Sequence, residues 1–220
     1  MLEILYEDNH LIAVNKKSGD IVQQDKTGDI PLSDFVKKYI KNKYKKPGKV
    51  FLGTIHRLDR PTSGVVLFAK TSKALSRMNK QFKNQEIQKT YWAIVNNPPT
   101  NDSGTLDNFL KKNEKQNKSY ITKKGQGKHS ILEYKLLKKL DNFYHLEIKP
   151  KTGRHHQIRV QLANIGCIIK GDLKYGAKRS NKDGSIHLLA QKIKFIHPVK
   201  KELITIVAPA PQDNIWNNCI

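Results

Sequence analysis

Residues 50–70 read VFLGTIHRLDRPTSGVVLFAK, two apolar runs around the polar loop HRLDRPTS. VFLGTI and GVVLFAK carry the continuous apolar character of buried strands, and Pro61 biases Arg60 away from helix. The loop is therefore expected to be clamped between core strands, with Asp59 set between Arg57 and Arg60. The chain has 35 lysines but only 6 arginines, and four of the six lie here and in KTGRHHQIRVQL (151–162). A lone loop aspartate is ordinarily a turn or cap residue. Set between two guanidinium groups, an oriented carboxylate is able to act as a nucleophile.

The surrounding chain alternates strand and helix signals. EILYEDNHLIAVNK reads as a hairpin around an Asp-Asn turn. PLSDFVKKYIKNKYKK, from Pro31, places Leu32, Phe35, Val36, Tyr39 and Ile40 at helical spacing, with lysines on the other face and a stop at Pro47-Gly48. Thr71 is placed to cap a helix carrying Leu75, Met78 and Phe82, and IQKTYWAIV follows as a strand. Residues 96–128, with KKNEKQNK at 111–118, are expected to be irregular or hairpin-like surface and the best place for a mobile arm. Strands are expected at 130–137 and 143–149, then a helix from Thr152 to Ile165 closed by Gly166, then strands in HLLAQKIKFIH and ELITIVA. The expected class is α+β: a mixed, mainly antiparallel central sheet with a few packed helices, in a single domain spanning 1–220.

The 220 residues are 37% hydrophobic and hold no apolar run long enough for a membrane helix, and MLEILYEDNHLIAVNKK lacks the pattern of a signal peptide. A cytoplasmic protein is expected. Cys167 and Cys219 have the spacing of neither a disulfide framework nor a zinc site. The formal net charge of +22 points to a polyanion, since Lys and Arg release counterions from phosphates; a solvated basic surface, enriched in Lys, Asn and Ile by AT-rich coding, is the bland alternative.

HRLDRPTSG resembles the signature of the RluA family of pseudouridine synthases, HRLDxxTSG. QKTYWAIV (88–95) resembles the family's second motif and KTGRHHQIRVQL its third, TGRxHQIRVH. GDLKYG (171–176) and LLAQKIKFIHP (188–198) follow in the family's order and spacing. The likeness runs from Ile4 to Ala208. It implies the pseudouridine synthase fold with an RNA-binding cleft, and isomerisation of uridine to pseudouridine in RNA: the N1–C1′ bond breaks, the uracil turns, and C5 joins C1′. It also implies that the chain is the catalytic domain alone, without an S4-like RNA-binding domain before it.

Matched by motif, the resemblance makes Asp59 the catalytic aspartate, Tyr91 the base-contacting tyrosine and Arg159 the basic partner of Asp59. Glycosidic cleavage needs a carboxylate to stabilise or bond to C1′, as in glycosidases. Whether the aspartate attacks C1′ or abstracts a 2′ proton is left open. Tyr91 offers a flat face to the uracil and an oxygen to receive the C5 proton. The target nucleotide must leave its stack, so Arg57 is expected to fill the gap, Arg60 to bind RNA, and Arg154 and His156 to touch the backbone. His155, Gln161 and Leu189 depart from the family's pattern.

Adjacent His155 and His156 point about 100° apart on a helix with no acidic ligand a turn away, so no metal is expected, and no cofactor. RNA, a ribosomal or transfer stem-loop with ribosomal RNA preferred, is the expected partner of a monomer. A catalytically silent RNA-binding or ribosome-assembly protein on the same fold is the alternative. A phosphotransferase, suggested by the superficial likeness of HRLD to a kinase loop, fails for want of a Gly-rich loop and a DFG.

Overall fold

A computed structural model describes residues 2–25 and 27–219. The chain forms two compact units, one of residues up to Gln88 with Ala190–Pro209, the other of Lys89–Leu189 with the residues from Ala210 on.

The first unit begins with the expected hairpin. Strands β1 (Ile4–Glu7) and β2 (Leu11–Lys16) pair antiparallel. The Asp8 carboxylate makes their turn by accepting from His10 N and Leu11 N, both at 2.7 Å. Helix α1 (Leu32–Lys43) follows, then the short β3 (Gly53–Thr54) and β4 (Ser63–Ala69). β2 pairs with β4 from Leu11↔Ala69 to Lys16↔Gly64. Both are buried almost throughout, as their apolar runs require. Alternate residues Ile12, Val14, Val66 and Phe68 share a cluster with Leu32, Val36 and Ile40 of α1. Phe35, counted on that apolar face, is half exposed.

VFLGTI forms a strand only at Gly53 and Thr54. These meet Ala69 and Phe68 on the edge opposite β2, the edge that β10 also uses. Val50 and Leu52 still pack on the α1 cluster, but as coil. Helix α2 (Ser72–Lys83) is capped as expected, with Thr71 Oγ1 accepting from Ala74 N at 3.2 Å; Met78 is buried and Leu75 and Phe82 partly so.

The second unit is built on β5 (Gln88–Val95), β6 (Ser103–Asn113), β7 (Lys118–Thr122), β8 (Lys128–Lys139) and β9 (Tyr144–Pro150). They run antiparallel in the order β5-β9-β8-β6-β7. The lysine-rich stretch is thus a regular hairpin, not irregular chain. Its alternation is hidden by lysines: Leu110 and Ile121 face inward, and β6 pairs with β8 from Ser103↔Lys135 to Leu110↔Lys128.

Helix α3 spans Gln157–Asn164, shorter than the expected helix from Thr152. His156 is left-handed, with φ 53°, and the Gln157 side chain folds back to accept from Arg154 N (3.0 Å) and Thr152 Oγ1 (2.8 Å). Residues 152–156 are therefore a turn. Gly166, φ +80°, closes the helix as expected. Ile158 and Leu162 pack into the sheet core and Val160 against the hairpin, so α3 is buried on nearly all sides.

β10 (Leu188–Ile196) enters the first unit at Ala190 and there pairs with β11 (Leu203–Val207). The short α4 (Asn214–Asn217), which carried no sequence signal strong enough to be expected, is capped by Asp213, whose carboxylate accepts from Ile215 N and Trp216 N. Among the described residues no helix is long and apolar enough to cross a membrane.

Candidate active site

In the first unit, HRLDRPTS is the loop between β3 and β4, and it is braced along its C-terminal half. Lys16, at the inner end of β2, is fully buried, so its ammonium has to find acceptors within the protein. It donates to Lys17 O (2.9 Å), Arg60 O (3.0 Å) and Thr62 O (2.7 Å). Ser18 Oγ donates to Pro61 O at 3.1 Å and Gly19 N to Arg60 O at 2.9 Å. Each carbonyl after Asp59 up to Thr62 is therefore held from Lys16–Gly19, and Thr62 N closes a turn onto Asp59 O at 3.0 Å.

Burial pushes the Lys16 ammonium down to about 8, against the opposing pull of the Asp20 and Asp59 carboxylates. Lys16 is thus a buried cation in the electrostatic neighbourhood of Asp59. Before the loop, His56 Nε2 accepts from Leu67 N at 3.1 Å and its ring stacks on Phe82. Asp59 is half-buried and Arg57 exposed. Arg60 gives Nε to Gly19 O at 3.0 Å and pairs with Asp29, so its guanidinium ties the loop to the segment before α1.

Gly64 ends the braced loop. It has φ +114°, and a Cβ there would lie 2.3 Å from the Ala190 carbonyl oxygen. Only glycine allows β4 and β10 to approach this closely.

The second unit holds the other residues. Tyr91 lies in β5 opposite Ile148 and packs against the sheet core. Arg159 is buried on α3 and forms a side-on pair with Asp172: Nε donates to Oδ2 at 2.7 Å and Nη2 to Oδ1 at 2.8 Å. Its guanidinium carbon stands 5.1 Å from the Tyr175 ring centroid.

His156 is buried beside the same ring, with Nδ1 2.9 Å from Tyr175 Oη. Burial, then the charge of Arg159, hold His156 far below the usual imidazole range, so it is neutral. His155 stacks on His156, with Nδ1 2.8 Å from Ser119 Oγ. Arg154 is exposed, its Nε bound to His129 O at 3.0 Å.

The departures at Gln161 and Leu189 are packing residues. Both are wholly buried, and Gln161 Nε2 donates to Leu106 O, Asn108 Oδ1 and Ser130 O, tying α3 to β6 and β8. Three residues escaped the sequence reading: Lys16, Asp172 and Tyr175. A lysine ending the apolar run LIAVN was the signal for the first. The spacing of Asp and Tyr in GDLKYG was the signal for the others.

The first unit thus holds a braced loop around Asp59, and the second a buried arginine in a side-on pair with Asp172. The family model described as RNA pseudouridylate synthase matches residues 10–164. The tRNA pseudouridine synthase C of Vibrio vulnificus is 34% identical, over 98% of this chain and 93% of its own length. The ribosomal large subunit pseudouridine synthase C of Buchnera aphidicola is 35% identical, over 94% of this chain and 66% of its own length. The corresponding synthase D of Zymomonas mobilis is 31% identical, over 96% and 70%. The solved structure of human RNA Pseudouridylate Synthase Domain Containing 4 superposes with a TM-score of 0.80 over 97% of this chain and 90% of that one, at 23% identity, and so shares the fold.

The chain belongs to the RNA pseudouridylate synthase family. It is accordingly an isomerase that converts uridine to pseudouridine in RNA.

Proposed function

We propose that Asp59 is the carboxylate that acts at C1′ or C2′ of the target uridine, that Tyr91 packs on its uracil and receives the C5 proton, and that Arg159 supplies the catalytic cation. In outline, the N1–C1′ bond breaks, the released uracil turns, C5 bonds to C1′, and the C5 hydrogen leaves as a proton while N1 gains one. The observation that carries the reading is the loop of Asp59. A fully buried lysine and three held carbonyls fix the backbone on its C-terminal side, and such rigidity is what a positioned nucleophile or base requires. Arg57, Arg60, Arg154 and His156 bind the RNA in this reading, the first three from the surface.

The RNA is ribosomal in the first instance, with tRNA the second candidate; relatives of similar identity carry both names. The protein works as one catalytic domain, monomeric and cytoplasmic.

The test is pseudouridine mapping, by carbodiimide adducts and primer-extension stops, on ribosomal RNA and tRNA from cells lacking the gene. Wild type is expected to restore the missing stop. Asp59→Ala is expected not to, and Tyr91→Phe to slow its return by roughly 10²-fold or more, the scale of a lost proton-transfer group. A stop restored in full by Asp59→Ala rules out the assignment of Asp59.

A further inference from the structure

Between Asp34 and Asp59 the chain carries seven lysines and no acid. Helix α1 lies at the start of this stretch and runs away from the HRLDRPTS loop. Its beginning adjoins that loop, since Asp29, just before the helix, pairs with Arg60. Twelve residues, at about 1.5 Å each, put its other end roughly 18 Å further on. There the nearly buried Glu7 carboxylate accepts from Lys43 Nζ (2.7 Å), Lys70 Nζ (2.9 Å), Tyr39 Oη (3.0 Å) and Tyr44 Oη (2.8 Å). Tyr44 is thus held by its phenol while the residue stays 45% exposed.

The helix closes in a Schellman turn: Lys45 N bonds to Asn42 O at 3.3 Å and Lys46 N to Lys41 O at 3.0 Å. The left-handed position of that turn, φ 47°, is filled by Lys45 and not by the glycine or asparagine that suits it. A Cβ makes this conformation costly. The field at the end of the helix favours cations in the last turn, which accounts for Lys41 and Lys43, but it fades beyond that turn and gives no reason for strain at Lys45. Lys41, Lys45, Lys46 and Lys49 are all exposed. Val50 and Leu52 pack on the α1 cluster, whereas Phe51 between them is 48% exposed. A merely solvated lysine face needs neither a strained lysine nor an exposed phenylalanine. Lysines interleaved with exposed rings suit an unpaired nucleic-acid strand, because the cations track its phosphates and the rings stack on its bases.

We propose that residues 41–51 form a docking surface for an unpaired stretch of the substrate RNA, away from the catalytic loop: Lys41, Lys45, Lys46 and Lys49 neutralise phosphates, and the rings of Tyr44 and Phe51 take bases. RNA is the occupant because the chain is an RNA isomerase with a net charge of +22. The strand is unpaired because side-chain rings stack on bases that have left a helix. The inference rests on RNA as the substrate and not on the roles given to Asp59, Tyr91 and Arg159.

The experiment measures binding of the full chain to an oligoadenylate of about 20 nucleotides, which spans a single-strand site of this kind and offers no uridine to the catalytic site. A guanosine–cytidine RNA duplex of the same length is the comparison. The variants are Lys45→Gly, the triple Lys45→Gly/Lys46→Gln/Lys49→Gln, Phe51→Ala and Phe51→Trp. A control triple, Lys73→Gln/Lys80→Gln/Lys83→Gln, removes three exposed lysines of α2. The first triple is expected to weaken oligoadenylate binding about tenfold or more at about 100 mM salt, and to flatten the slope of log K against log salt by about 2, at about 0.7 per phosphate. Phe51→Ala is expected to weaken it about fivefold or more, with Phe51→Trp binding as wild type. Neither Phe51 variant is expected to change duplex binding. Lys45→Gly is expected to weaken oligoadenylate binding about threefold or more. Its urea midpoint is expected to stay level or rise, because glycine suits the left-handed backbone.

Wild-type oligoadenylate binding by the first triple, or an equal loss in the α2 triple, overturns the inference. So does an equal loss of duplex and oligoadenylate binding on Phe51→Ala. If circular dichroism shows the triple or Phe51→Ala to be unfolded, Lys45→Gly decides, and unchanged oligoadenylate binding by that variant overturns the inference. None of these outcomes bears on the reaction, which pseudouridine mapping tests.

Discussion

His145 is buried between the edges and faces of Trp92 and Trp216, and neither ring nitrogen has a hydrogen-bond partner among the described residues. Burial, with the Lys138 charge in the same direction and Glu147 opposing, pushes it down to about 4. His187, stacked on Trp216, is likewise pushed to about 4 by burial and Lys170, against the Asp213 carboxylate 3.1 Å from its Nε2. A folded pKa below the unfolded value of about 6.5 means that the unfolded chain binds more protons between those values. Their contribution to stability is therefore complete above pH 6.5 and is lost as pH falls toward 4. His145→Phe keeps an aromatic ring against both tryptophans and removes the titration. It is expected to raise stability by about 1 kcal/mol or more at pH 5 and by less at pH 8. Urea midpoints at the two pH values check this, and an equal shift at both would show that the imidazole's protonation is irrelevant.

At the scale of elements, the HRLDRPTSG loop depends on what lies beneath it. β4 leaves the loop through Gly64, where β10 backbone occupies the space of a side chain. Gly64→Ala must both adopt a positive φ and push the two strands apart. We expect a loss of about 3 kcal/mol or more, read from denaturant unfolding, with pseudouridine formation lost alongside it. An alanine variant of wild-type stability would show that β4 and β10 separate at no cost. The hairpin of β6 and β7 makes the complementary point. Its length is set by pairing with β8 and by Leu110 and Ile121 against α3, not by its own composition.

For the whole molecule the governing quantity is the net charge of +22, carried mostly by exposed lysines. Affinity for RNA is then expected to fall steeply with salt, because each neutralised phosphate releases counterions. With six or more contacts the slope of log K against log salt is about −4 or steeper, a loss of roughly 250-fold or more between 50 and 200 mM. Filter binding of ribosomal RNA fragments over that range measures it, and a slope near zero would remove the electrostatic account of substrate affinity.

Much of this was legible from the chain itself. The hairpin at the start, α1, α2 with its Thr71 cap and the strand after HRLDRPTS follow from period and capping, which are local properties; the run before the loop, VFLGTI, is strand only at Gly53 and Thr54. The family and its reaction followed from five motifs in order. The division into two compact units was not legible, since two of its three boundaries fall within β5 and β10, where no linker composition marks them. The start of α3 was misjudged because a left-handed His156 has no sequence signature. The β6 and β7 strands were hidden by lysines that pair with neighbours distant in sequence. Lys16, Asp172 and Tyr175 could be quoted but not given tasks: a buried charge acquires its meaning from the carbonyl, carboxylate or ring brought against it. The sequence by itself determined most of the elements, the family and the residue types of the chemistry. The tertiary structure alone decided which carbonyls hold the aspartate's loop and which carboxylate holds the arginine, because those partners lie 44 and 46 residues from Lys16 and 13 from Arg159, at separations that only folding closes.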